Sequence, residues 1–209
     1  MSDSTGNKEK IKEIHPDWYR DVFPMYYLIL GSFPPHSKRW DYPFYYPNKI
    51  NRFWKILAEI AKVNLTTPIF SKKNAVDERF SIMQKLNTGV QNLGKTILRK
   101  GTSALDTDIE ITTFQDILAI LQKHPELKKI LLPGYSSKNS TARSFLKYIN
   151  QTKEIEIIDS IPKTIYSGTF FQIRVDGRII DCVVLNSTST ASRISYDDVK
   201  AQFEKELNS

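Results

Sequence analysis

Met25-Tyr-Tyr-Leu-Ile-Leu-Gly-Ser-Phe-Pro-Pro35 is a short apolar run that ends abruptly at a glycine and two prolines. Its length and composition read as a buried strand that gives way to a loop. Beyond Gly31 the loop holds Pro34, Pro35, Pro43 and Pro47, interleaved with Phe33, Trp40, Tyr42, Phe44, Tyr45 and Tyr46. Proline fixes φ and has no N–H to donate, so four of them rule out a regular helix or a central strand there. From Asn51 the period changes. Phe53, Ile56, Leu57 and Ile60 recur at helical spacing, with Asn51 placed as an N-cap.

Working outward, helices are expected over 77–86, with Phe80, Met83 and Leu86 on one face, and over 113–123. In the second, Phe114, Ile117, Leu118 and Leu121 form the stripe, and Thr113 with Asp116 resembles a capping box. Ile130-Leu-Leu132 reads as a strand stopped by Pro133-Gly134, and 140–149 as a helix. Asp176-Gly177 is a hairpin signal between the β-rich runs 170–175 and 178–185. A last helix starts after Ser195 and carries Val199 and Phe203. Strands alternating with helices predict an α/β fold: a three-layer α/β/α sandwich around a short, mostly parallel sheet. Residues 1–14 are expected to be a flexible, solvated tail, and 15–209 one domain.

The 209 residues are 40% hydrophobic and 25% charged, which excludes wholesale disorder. No apolar run approaches the ~18 residues of a membrane span, and the first residues hold no apolar signal core. A lone Cys182 can form neither an internal disulfide nor a thiolate cluster, and His15, His36 and His124 are scattered without a zinc motif. An intracellular, cytoplasmic protein without metal or cofactor is expected, a monomer with no membrane partner. The net charge of +7 leans toward a polyanionic partner. Thirteen of the 24 aromatics lie between Trp18 and Trp54, a density that asks for a dense subcore or a stacking pocket.

Ligands in open α/β sheets sit beyond the carboxyl ends of the strands. Two such ends carry unusual loops. Gly31-Ser-Phe-Pro34 can bring backbone N–H groups close to a ligand, or can be an ordinary tight turn. Ser187-Thr-Ser-Thr-Ala-Ser-Arg193, just before a helix, suits phosphate contacts, or is a hydroxyl-rich surface turn. Gly89-Val-Gln-Asn-Leu-Gly-Lys-Thr96 matches GxxxxGK[ST], the phosphate-binding loop of nucleotide hydrolases. That motif requires a strand before it and a long helix after it.

In order and spacing, Gly31-Ser-Phe-Pro, Tyr42-Pro-Phe44, Asn51-Arg-Phe-Trp54 and Val184-Leu-Asn-Ser-Thr-Ser-Thr-Ala-Ser-Arg-Ile-Ser195 resemble the uracil-DNA glycosylase superfamily. The mismatch-specific uracil and hypoxanthine branch is the most similar, through Gly31-Ser-x-Pro34, Gly101-Thr-Ser-Ala-Leu-Asp106 and Ser187-Thr-Ser189. The resemblance implies a monofunctional enzyme that flips a deaminated or mismatched base out of DNA and hydrolyses its N-glycosidic bond. It implies a base pocket of Gly31, Ser32, Phe33, Pro34, Phe44, Tyr45 and Tyr46, with an aromatic ring stacked on the base. It places Ser187, Thr188, Ser189, Thr190, Ala191, Ser192 and Arg193 on the DNA, with Thr190 and Ala191 at the wedge. Phe33 stands where the superfamily usually carries a water-activating Asp or Asn, so the resemblance assigns water positioning to Asn51. Its plain alternative is a helix cap. A relative that binds DNA but has lost catalysis and a nucleotide hydrolase using Gly89–Thr96 are the competing functions.

Overall fold

All five residues of β2 (Tyr27–Gly31) are buried, as a strand covered on both faces requires. In the computed structural model, which describes residues 9–66, 68–103 and 105–208, β2 pairs in parallel with β3 (Thr88–Asn92) and with β6 (Lys129–Pro133). β6 pairs in parallel with β9 (Arg178–Leu185). β8 (Phe170–Val175) and β7 (Ile155–Ile157) extend the sheet antiparallel, giving the order β3-β2-β6-β9-β8-β7. The turn between β8 and β9 is Asp176-Gly177, both at positive φ, which fixes that hairpin's register as the sequence predicts.

Helices cover both faces. α1 (Phe53–Ile60) buries Phe53, Trp54, Ile56 and Leu57, and Phe53 meets Phe203 of α5 (Tyr196–Leu207) edge to face at 6.2 Å. α2 (Lys72–Lys85) lies beside α1 and β3. α3 (Ile117–Lys123) and α4 (Thr141–Ile149) form the other group, tied where Leu118 N–H donates to Tyr148 Oη at 2.8 Å. The result is the expected α/β/α sandwich, with its parallel strands confined to β3, β2, β6 and β9. Among the described residues no helix is long and apolar enough to cross a membrane.

Three sequence expectations change. The tail ends earlier than predicted. Lys10–Ile14 is strand β1, antiparallel to β4 (Gly94–Lys100), which also pairs with β5 (Ile109–Phe114) in a separate three-stranded sheet. The first eight residues of that tail lie outside the described residues. The helix expected from Thr113 begins at Ile117. Its cap is Asp116, which accepts from Ala119 N–H at 3.0 Å, while Thr113 belongs to β5. Cross-strand bonds to β4 outweigh the helical period there. α2 starts at Lys72, several residues before the expected 77, because Ser71 Oγ accepts from Asn74 N–H and caps it.

The nucleotide-hydrolase reading fails on context. Gly89 lies within a parallel strand that follows helix α2, and Gly94 opens a strand rather than a helix. N–H groups that would cradle a phosphate are spent: Leu93 donates to Gly31 O and Gly94 to Ser32 O, at 2.8 and 3.0 Å. The glycines serve packing instead. A Cβ on Gly89 would lie 2.6 Å from Met25 Sδ, and one on Gly94 would lie 2.9 Å from Phe33 Cδ2.

Candidate active site

The parallel strands turn both ways from β2, toward β3 on one side and β6 on the other. The loops at their carboxyl ends therefore part and leave a crevice. Gly31 ends β2, Asn92 ends β3 and Pro133 ends β6, while Ser187 to Ala191 follow β9. All of them line one cleft of about 430 Å³. Asn51, at the start of α1, lines the same cleft. Two loops some 150 positions apart in the chain thus face one cavity.

Arg52, to which sequence reasoning gave no role, holds them there. Its guanidinium donates to the carbonyls of Ser189 and Ile194, both at 2.8 Å, and to those of Ser187 and Thr188 at 3.4 and 3.3 Å. Its own N–H donates to Thr188 O at 3.2 Å. A planar fork of N–H donors suits a ring of carbonyls in a way an ammonium does not. The last loop is further tied by Ser187 Oγ and Ser189 Oγ, which accept from Ser189 N–H and Ala191 N–H. Arg193 is exposed and, like Ser192, lies in this loop but off the cleft wall.

The aromatic cluster divides into core and wall. Phe44 and Tyr45 are buried and do not line the cleft, which corrects the sequence expectation that they face a ligand. Phe44 lies over Trp54 with centroids 5.9 Å apart, and Tyr45 donates its hydroxyl to Gln91 Oε1 at 2.9 Å. The four rings of Phe33, Phe44, Tyr45 and Tyr46 do not all face the cavity, and the apolar surface of α1 needs partners. Tyr46 and Phe33 supply the wall, with Pro34 beside them. Tyr46 takes a left-handed φ of 46° and stacks on Phe53, centroids 3.7 Å apart. That conformation costs ~1–2 kcal/mol, offset by the stacking and by Tyr42 Oη donating to Tyr46 O at 2.6 Å.

Asn51 is not the N-cap expected from the sequence: that position is Arg52, which makes no side-chain cap, and Asn51, one residue earlier, accepts from Phe53 N–H at 2.9 Å through Oδ1. That bond ties the amide to the first turn of α1. It leaves the second lone pair of Oδ1 and the Nδ2 hydrogens, which have no partner among the described residues, at the cleft.

The cleft floor is polar. Asn92 is buried, and its Nδ2 lies 3.0 Å from His15 Nε2. His15 Nδ1–H donates to Pro16 O at 2.5 Å, so Nε2 is the acceptor and Asn92 must donate. Burial lowers the His15 pKa to about 4, against smaller raising effects from Pro16 O and Asp17, which keeps the ring neutral and the tautomer fixed. Asn92 Oδ1 therefore faces Gly31. A Cβ there would lie 2.2 Å from that oxygen, which explains the glycine. Asp106 completes the floor: Ser32 Oγ–H donates to its Oδ1 at 2.9 Å. Burial raises its pKa, while the Ser32 hydrogen bond and the Arg99 charge pull the other way. Tyr46 lies close enough that the Asp106 charge, added to burial, drives its phenol well above the ordinary range.

Asn92 escaped sequence analysis because Gly89–Asn92 resembled a phosphate loop rather than a strand. The only signal for Asp106 was the Gly101–Asp106 stretch, to which no role was attached.

The chain is thus an open α/β sandwich with an aromatic-walled, polar-floored cleft at its strand switch point. No protein-family model and no curated protein matches this sequence. Among solved structures, the chain is similar to the solution NMR structure of a "putative Uracil DNA glycosylase" from Methanosarcina acetivorans. The TM-score is 0.59 at 17% identity, over 97% of this chain and 99% of that one. The two share a fold.

Proposed function

We propose that this protein is a monofunctional DNA glycosylase that flips out a deaminated base, uracil or hypoxanthine, and hydrolyses its N-glycosidic bond. The observation that carries this is the convergence of Gly31, Asn51, Asn92 and Ser187–Ala191 on one cleft with Tyr46 and Phe33 as its wall. Its volume of about 430 Å³ falls within the range of small-molecule sites.

A flipped base slides between aromatic wall and polar floor, where stacking is worth ~1–3 kcal/mol. Asn92 Oδ1, locked by His15, accepts from a base N–H. Both uracil and hypoxanthine carry an N–H beside a carbonyl, so one acceptor serves both. Asn51 orients the attacking water with its amide, and the loop Ser187–Arg193 meets the duplex, its backbone shaped by Arg52. Arg39 at the cleft and Arg193 in the last loop are exposed and make no ion pair among the described residues. They are free for phosphates.

The test is base release. A duplex carrying uracil or hypoxanthine is incubated with the protein and cleaved with alkali at abasic sites. Wild type yields strand breaks at the lesion; Asn51→Ala loses them while still shifting the duplex in a gel. Binding whose log–log salt slope is about −0.9 per phosphate contact, with no base released from any lesion, establishes the non-catalytic DNA binder instead.

A further inference from the structure

Phe33 removes a polar group from the first loop, yet the cleft is not without a carboxylate. Asp106 comes from a different part of the chain, a short 3₁₀ turn between β4 and β5. It lines the same cleft as the last loop and is joined to Ser32, the residue beside Phe33. We propose that Asp106 is a catalytic residue of this site, the acceptor for the proton of the attacking water, with Ser32 as its positioning residue. The inference rests on the glycosylase reading.

Its surroundings suit the task. Arg99 is the cation whose charge acts on Asp106, but its guanidinium is already committed. It donates to Glu13 Oε1 and Oε2 at 2.8 and 3.1 Å, and to the carbonyls of Ser103 and Pro34, both at 2.7 Å. Arg99 therefore biases the Asp106 charge without capping its oxygens. Asp108, on the same turn, is turned away to Ser103 Oγ at 2.7 Å. Ser32 takes Asp106 Oδ1, and Oδ2 has no partner among the described residues. Tyr46 and Arg39 are the other ionisable groups lining the cleft with it. A half-buried carboxylate with one oxygen anchored and one free can both accept a proton and stabilise a cationic sugar.

The step balances without a co-reactant. Water oxygen bonds to the sugar C1′ as the C1′–N bond breaks, and that bond's electron pair leaves with the base. One water proton passes to Asp106 Oδ2 and on to the departing base nitrogen, directly or through solvent. The products are a neutral free base and an abasic sugar, and the carboxylate is restored.

Single-turnover base release as a function of pH tests this on wild type, Asp106→Asn, Asp106→Glu and Ser32→Ala. Wild type shows an acid limb above the ordinary carboxyl range, because a protonated carboxyl accepts nothing. Asp106→Asn loses roughly 10²–10⁴-fold in rate and loses the limb, while lesion-DNA binding and thermal melting persist. Asp106→Glu regains part of the rate. Ser32→Ala removes a hydrogen bond to the charged form, so its limb moves to higher pH. If Asp106→Asn keeps both rate and limb while wild type releases base, the assignment of Asp106 is overturned and the glycosylase reading stands. If wild type releases no base, both fall together.

Discussion

Acidification destabilises the fold through His15, and the size of the effect follows from the burial of its ring. The ring is buried against Trp18 and Phe33, each edge to face at 5.5 Å, and its pKa falls from 6.5 to about 4. The unfolded chain therefore binds this proton more readily than the folded one between those values. Stability carried by the neutral ring is complete above pH 6.5 and is lost as pH falls toward 4. Between pH 7.5 and pH 5 the loss is about 2 kcal/mol, or roughly 4–8 °C in melting temperature for a chain of this size. Urea unfolding of wild type and His15→Gln at both pH values isolates it, since other titrating groups are common to the two. The gap between the proteins should narrow by about 2 kcal/mol on acidification. A gap that stays constant to within about 0.5 kcal/mol would refute the buried neutral histidine, and with it the locked orientation of Asn92.

Two further perturbations probe the cleft. Gly31→Ala places a Cβ 2.2 Å from Asn92 Oδ1, so the amide must retreat by about 1 Å to reach ordinary contact. Base release should fall by ~100-fold with little change in duplex affinity, read by single-turnover kinetics and gel shift. Arg52→Lys keeps the charge but loses the planar fork across the Ser187, Ser189 and Ile194 carbonyls. Stability should drop by about 2 kcal/mol and hydrogen exchange in 186–194 should rise; unchanged exchange would mean the loop holds itself.

Local pattern was enough wherever one element decides its own structure. Tyr27–Gly31 has no alternative but a buried strand, Asp176-Gly177 dictates a hairpin, and Ser195 caps α5 by accepting from Asp198 N–H at 3.1 Å. The same local logic misled at Thr113, where a helical stripe belongs partly to a strand whose partner lies in β4. It misled again at Phe44 and Tyr45, since a run of aromatic residues does not say which rings face inward.

The sequence by itself determined the strand–loop–helix order and the two loops that carry the candidate chemistry. It did so because hydrophobic period, proline and capping groups act over a few residues. Tertiary structure alone decided that Asn92 and Asp106 join Gly31 and Asn51 in one cleft, and that Arg52 braces the last loop. These partners come from β3, from the turn after β4 and from the loop after β9. Their meeting is a property of sheet order and of the space left between diverging strands, which no stretch of neighbouring residues encodes.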